Sequence, residues 1–154
     1  MQLGRGPAGP VPFFDDVDRA YVVAQLEGAM DAPVDLEVSV RRTSRLLLPG
    51  APADDGGSDD ARQAQQLAEE LAALEPRIRV VVSEATEGPP RFSVDSRAGG
   101  GVTFVGQPRA NLFRALLETI RRASNGDHGM DADQVRHLSH LPRPVHARVF
   151  ATPT

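Results

Sequence analysis

The chain has 154 residues, a formal net charge of −4 and no cysteine. Its length suits one domain with a single core, its negative charge argues against nucleic acid as a partner, and the missing cysteine excludes disulfide bonds, thiolate catalysis and zinc–thiolate sites. No apolar run reaches the length of a membrane span and no secretory leader pattern opens the sequence, so we expect a cytoplasmic protein without a membrane partner.

The first part of the chain predicts a helix and then a strand. Residues 1–14 are rich in glycine and proline, which predicts a flexible leader. Apolar residues recur at helical spacing over residues 15–30, which predicts a helix packed by one face. Residues 34–40 alternate apolar and polar side chains, as in a strand with one better-covered face.

A long loop separates this strand from the next helix. Residues 41–57 are predicted to be mostly mobile, and their leucine triplet either folds back on the core or extends the strand. Ser58 then caps a helix whose apolar stripe continues to Leu74, where Pro76 follows and stops it. Residues 78–82 predict a short buried strand, so this part of the chain makes a right-handed βαβ unit with parallel strands.

The next stretch predicts a hairpin. Residues 91–95 and 102–105 are short runs rich in β-branched and aromatic residues, and the glycines at 99–101 join them. This pattern is typical of two antiparallel strands and a tight turn. Because the glycines connect two strands and precede no helix, they are not expected to cradle a phosphate.

Two helices and a last strand are predicted after the hairpin. The first helix covers residues 108–123 and ends with a left-handed cap at residues 125–126. Asp131 and Gln134 have the spacing of a capping box at the start of a second, short helix. Residues 145–150 alternate apolar and other side chains, which predicts a strand.

The order of a proline, a strand, a glycine turn, a strand and a helix resembles the closing half of thioredoxin-like folds. Residues 104–154 further resemble the junction between two fused units in tandem thioredoxin-fold proteins, namely the glutaredoxin-like protein disulfide oxidoreductases and the N-terminal region of the alkyl hydroperoxide reductase flavoprotein. The resemblance implies an α/β, thioredoxin-like domain over residues 15–126, with a mixed four-stranded sheet in the order second, first, third, fourth and helices on both faces. Residues 127–154 would be a linker helix and the first strand of an incomplete second unit.

The resemblance also assigns two positions. Pro90 is the candidate for the cis-proline that faces the redox site and an extended peptide, although without a thiol opposite we expect mainly a structural turn. Ser58 occupies the degenerate redox position, where serine can cap the helix but cannot exchange disulfides. Asp59 and Asp60 add negative charge where a thiolate would need the opposite.

Other candidate sites are weaker. His137 and His140 stand three residues apart on a predicted helix, but a zinc site needs further ligands, for which only Asp133 or His146 is close in sequence. A solvated pair is the expectation, and His128 in a loop carries no signal. No Gly-x-Ser-x-Gly nucleophile motif occurs.

We therefore expect a catalytically silent thioredoxin-like domain, without catalytic residues, metal or cofactor, that supports a thiol–disulfide redox partner domain or protein. A homo-oligomer formed through residues 144–150 is a further expected partner. Two alternatives stay open. The chain is the front half of an oxidoreductase whose Cys-x-x-Cys follows Thr154, or it is an independent peptide-binding module that uses the Pro90 edge or the arginine-rich loop at residues 41–45.

Overall fold

The computed structural model describes residues 12–41, 55–96 and 99–151. Most of the predicted leader, the leucine triplet at residues 46–48, Arg42 and Arg45 lie outside these residues. The elements in chain order are α1 (Asp16–Leu26), β1 (Val34–Arg41), α2 (Asp55–Leu74), β2 (Ile78–Ala85), β3 (Arg91–Asp95), β4 (Gly101–Val105), α3 (Asn111–Asn125) and α4 (Ala132–Ser139).

The four strands form one mixed sheet in the order β2-β1-β3-β4. The central strand β1 pairs in parallel with β2 and antiparallel with β3, and β3 pairs antiparallel with β4. Val38 thus lies between Val82 of β2 and Phe92 of β3. The predicted α/β class, the mixed four-stranded sheet and its strand order are confirmed.

The two faces of the sheet differ in what covers them. On β1, Val34, Leu36, Val38 and Val40 are buried and point to one face, here called the inner face. Their core also contains the buried residues of the first three helices, which are Val22, Leu26, Ala64, Leu67, Ala68, Leu71, Leu116, Leu117, Ile120 and Ala123. All three helices therefore pack on the inner side of the sheet, with α1 resting against α2 and α3.

The opposite, outer face is open to solvent over the described residues. Asp35 and Glu37 of β1 are exposed there, and Asp35 is bridged by Arg79 at 2.7 Å. The expected placement of helices on both faces is therefore wrong. Residues 86–90 are all that connect β2 to β3, and so short a link cannot form a helix that crosses the second face.

The packed body begins earlier than predicted. Phe14 is buried, and its ring lies 5.4 Å from that of Phe113 between centroids. The backbone N–H groups of Phe13 and Phe14 donate to the two carboxylate oxygens of Glu70, at 2.5 and 3.1 Å. The last two residues of the predicted leader are thus fixed to α2.

The helix after the hairpin starts later than predicted. It begins at Asn111, and its N-cap Ala110 has a positive φ of 48°, so Pro108 is a buried residue of the connecting segment instead of the first helical residue. Its predicted left-handed end is confirmed, since Gly126 has φ 71° and ψ 10°. The side chain of Ser124, near this end, exchanges two hydrogen bonds with the backbone of Ala32.

The end of the chain is only partly as predicted. Helix α4 forms, with both hydrogen bonds of the predicted capping box between Asp131 and Gln134, but it packs against no other described element. Residues 145–150 form no strand, and Val149 and Phe150 are 89% and 93% exposed. The predicted last strand is therefore wrong, because a strand needs hydrogen-bond partners on a neighbouring strand and none of the described strands lies beside it.

None of the described helices combines the length and the apolar character needed to cross a bilayer.

Candidate functional site

A cleft lies at the end of the sheet where β1 and β2 finish. It has a volume of about 260 Å³ and is lined by Arg41, Asp60, Ala61, Gly88, Pro89 and Pro90. Since β1 and β2 are parallel and α2 connects them, the carboxyl ends of both strands and the first turns of α2 meet at this end. The fold thus brings Pro90 to the same cleft as the start of the helix that carries Ser58.

Ser58 lies in the first turn of α2, and its side chain is outside the described part of the structure. The helix begins at Asp55, three residues before the expected position, so Ser58 is not the N-cap. The prediction of a cap at Ser58 is therefore wrong, because the aspartate- and glycine-containing residues before it are helical. Asp59, next along the helix, pairs with Arg62 at 2.8 Å.

Pro90 is buried at the start of β3. The peptide bonds among the described residues are all trans, so the expectation of a cis-proline is wrong. The trans form of an X–Pro bond is favoured by about 0.5–1 kcal/mol unless tertiary contacts select the other isomer. The carbonyl oxygen of Pro90 accepts a hydrogen bond from the Gly106 N–H at 2.8 Å, which continues the β3–β4 ladder by one residue.

The backbone around Pro90 offers few groups to a bound peptide. Pro89 and Pro90 carry no N–H, and the Pro90 carbonyl is already bonded within the sheet. Pairing with an extended peptide relies on backbone donors and acceptors at an edge. The two consecutive prolines therefore leave the cleft poorly equipped for peptide pairing.

The glycine run is a hairpin turn, as predicted. Gly99 and Gly100 have φ of 92° and 79°, and the N–H of Ser96 donates to the Gly100 carbonyl at 2.9 Å. A side chain at Gly101, the first residue of β4, would place its Cβ 3.0 Å from the carbonyl oxygen of Val94, so the strand would have to shift to accept a larger residue there. The turn holds β4 beside β3 and thereby fixes Gly106 against Pro90.

The two histidines at the end of α4 contact backbone carbonyl groups of that helix. The Nδ1 atom of His137 lies 2.8 Å from the Asp133 carbonyl oxygen, and that of His140 lies 2.6 Å from the Arg136 carbonyl oxygen. Within the described ranges, no three His, Cys, Asp or Glu side chains are grouped so that they could hold a metal ion. Both histidine side chains are exposed.

Two further residues lie near this end of the sheet: Arg41, which the sequence marked only as part of the arginine-rich loop at residues 41–45, and Gln107. Arg41 lines the cleft because β1 runs one residue further than predicted, which places a positive charge opposite the negative Asp60. The continued alternation after Val40 was the available signal. Gln107 follows Gly106, and both polar atoms of its side-chain amide are buried without a hydrogen-bond partner among the described residues. No sequence pattern marked that residue.

Comparisons with known proteins identify the fold. No protein-family model matches the chain, and no curated protein matches its sequence. A solved structure of a point mutant of the alkylhydroperoxide reductase component AhpF from Enterococcus faecalis matches with a TM-score of 0.60 at 15% sequence identity. The match covers 84% of this chain and 62% of the other, so this chain spans less than two thirds of that structure. We conclude that the chain has a thioredoxin-like fold of the kind that occurs in AhpF.

Proposed function

We propose that this chain is a catalytically silent thioredoxin-like domain that supports a thiol–disulfide redox partner domain or protein. The observation that carries the proposal is the cleft between residues 88–90 and the first turns of α2, which is the place where the fold would hold a dithiol. The chain has no cysteine to put there. The redox context comes from the structural likeness to AhpF and is an analogy of fold.

The charges at the cleft also favour a silent role. Disulfide exchange needs a thiolate, which is stabilised by a helix N-terminus and by nearby positive charge. Asp59 and Asp60 place two negative charges in the early turns of α2, and the described basic groups beside them are Arg62, which pairs with Asp59, and Arg41 of the cleft. Among the described residues no excess of positive charge is left to stabilise a thiolate. The site is thus arranged as a helix start and a rigid turn, without a group that could attack a sulfur atom.

Reduction of insulin by dithiothreitol tests both parts of the proposal. The purified chain is expected to leave the uncatalysed rate unchanged, and turnover above that rate would overturn the silent assignment. Added in excess to a reaction driven by a cysteine-containing thioredoxin, the chain is expected to change the rate relative to an equal amount of an unrelated protein. An unchanged rate would argue against a supporting role.

A second candidate function is capture of an extended peptide in the same cleft. The existence of a concave site beside Pro90 favours it, although the missing backbone donors at residues 89–90 weigh against it. Anisotropy of labelled extended peptides can decide. If the cleft binds them, Ala61→Arg should abolish binding, whereas Glu69→Arg on the exposed side of the same helix should not.

A further inference from the structure

The strand β2 is an edge of the sheet along its whole length. Its eight residues, Ile78–Ala85, pair with β1 on one side, and the order β2-β1-β3-β4 places no described strand on the other. This outward side is called the β2 edge. Val81 and Val82 are 48% and 47% exposed on it. A long edge strand with apolar side chains is a template for pairing with another strand.

A segment suited to such pairing lies near the other end of the chain. Residues 145–150, called the C-terminal segment, carry Val145, Ala147 and Val149 at alternate positions. The segment has no secondary structure, and Val145 and Val149 are 68% and 89% exposed. Its alternation places the three apolar side chains on one face as soon as the segment is paired.

Charge distinguishes the segment from the strand edge that would receive it. After Asp133 the sequence contains three arginines and three histidines and no acidic residue. Acidic side chains outnumber basic ones at the β2 edge: Arg79 of β2 is paired with Asp35, whereas Glu84 lies in β2, Glu87 follows it, and Glu37 lies directly across from Val81 on β1. The two surfaces therefore have opposite signs, which favours their association and sets a salt dependence.

We infer that the C-terminal segment of one copy of this chain adds as a strand to the β2 edge of a second copy. In a single copy the β2 edge and the C-terminal segment are both exposed. In a two-fold symmetric pair, each copy gives its segment to the edge of the other, so both surfaces of both copies are covered. Helix α4 packs against none of the other described elements, so the segment extends from the body as an arm. This inference is independent of the cleft and goes beyond the proposed function.

When the C-terminal segment pairs with β2, the side chains of the two strands match on each face of the sheet. Val145, Ala147 and Val149 would extend the inner apolar face beside Val80 and Val82, which pairing with β1 places on that face. His146 and Arg148 would then lie on the outer face, on the side of Glu37. The reversed placement would put arginine beside the core, so the alternation selects one face for the segment.

Sedimentation of the full chain tests the pairing. We expect a concentration-dependent dimer, with a dissociation constant raised about tenfold by Val149→Asp, a change of about 1.4 kcal/mol. Val17→Asp is the matched control, because Val17 is 77% exposed on α1 and should leave the dimer intact. Added salt should weaken the wild-type dimer. A monomer at every concentration, or equal effects of the two substitutions, would overturn the inference.

Cross-linking tests which copy supplies the strand. The chain has no native cysteine, so single cysteines can be placed without background. Mixing Val82→Cys protein with protein carrying cysteine at 145, 147 or 149 in turn should give a covalent heterodimer on mild oxidation at one of these positions. Replacing the Val82→Cys protein by Val17→Cys protein should abolish it. An intrachain bond in dilute Val82→Cys/Val149→Cys protein would show that the segment pairs with its own chain and would overturn the second-copy assignment.

Discussion

The body of the molecule, from Phe13 to Asn125, and the stretch after it carry equally regular sequence patterns but differ in how they fold. Residues 34–40 and residues 145–150 both alternate apolar side chains, yet only the first set forms a strand. β1 has partners on both sides, β2 and β3, whereas the C-terminal segment has none among the described strands. Alternation predicts which side chains share a face, and pairing decides whether a strand exists.

Helix α4 shows that an element of the same stretch can form without partners. It lies in the same unpacked stretch and nevertheless forms, because a helix makes its hydrogen bonds within itself. The capping box of Asp131 and Gln134 satisfies further N–H groups locally, at 2.8 and 3.0 Å. Local signals are therefore sufficient for a helix, and distant partners are required for a strand.

The largest expected effect compares two phenylalanines. Phe92 is fully buried in β3, whereas Phe150 is 93% exposed in the C-terminal segment. Phe92→Ala should lower the free energy of unfolding by about 3–5 kcal/mol, and Phe150→Ala should change it by less than about 0.5 kcal/mol. Denaturant unfolding in dilute protein measures both. Comparable losses would mean that the C-terminal segment belongs to the packed core.

A smaller loss is expected from a buried hydroxyl. The Oγ of Ser124 accepts from the Ala32 N–H at 2.8 Å and donates to the Ala32 carbonyl at 2.5 Å, which holds the end of α3 beside the start of β1. Ser124→Ala should cost about 1–3 kcal/mol because it leaves buried polar groups unpaired. Ser139→Ala on the unpacked α4 is the control and should be nearly neutral in the same unfolding measurement.

Acid should loosen the N-terminal end of the body. Burial raises the pKa of Glu70, but hydrogen bonds from the backbone of Phe13 and Phe14 and from Gln66, together with the charge of Arg19, lower it more, so its pKa lies below the ordinary 4.5. A lowered pKa stabilises the fold above about pH 4.5, and that contribution is lost as the pH falls through the folded value. Thermal unfolding at descending pH should therefore show a weaker acid dependence for Glu70→Gln. Parallel curves for the two proteins would contradict the anchoring role of Glu70.

The smallest expected effect is local to α4. Asp131→Ala removes the side chain that accepts the Gln134 N–H, a loss of about 1 kcal/mol of helix stability. Because α4 packs on no other described element, backbone chemical shifts of residues 132–139 should move toward coil while the unfolding midpoint of the body stays unchanged. A lowered midpoint would show that α4 is coupled to the body.

The sequence predicted those features whose causes are local or repeated. The hairpin glycines and the left-handed end at Gly126 have a short-range cause, whereas the alternation of residues 34–40 is a repeated pattern that also finds partners in β2 and β3. The structure confirms all three. The start of α3 was missed because a proline suits the first helical position but does not require it, and Ala110 takes a positive φ there instead.

The remaining errors concern distant partners. Glu70 fixes Phe13 and Phe14 from 57 and 56 residues away, and no local pattern reports such a contact. The cis peptide at Pro90 was expected from the family resemblance and the strand at residues 145–150 from its alternating side chains, and the structure has neither. Both expectations depended on neighbours that a local pattern does not supply. At the candidate site the resemblance did place Pro90 beside the start of α2, whereas the position of Arg41 in the cleft and the burial of the Gln107 amide were found only from the structure.

Installation of a dithiol at the cleft tests the central claim most directly. Ser58 and Ala61 have the spacing of a Cys-x-x-Cys pair, and Ala61 lines the cleft with Pro90. The Ser58→Cys/Ala61→Cys chain should reduce insulin faster than the uncatalysed reaction, because the early turns of α2 favour a thiolate. Glu69→Cys/Ala72→Cys has the same spacing further along α2 and is the matched control, for which no acceleration is expected. Equal rates for the two engineered chains would contradict the claim that the cleft is the place where this fold would hold a dithiol.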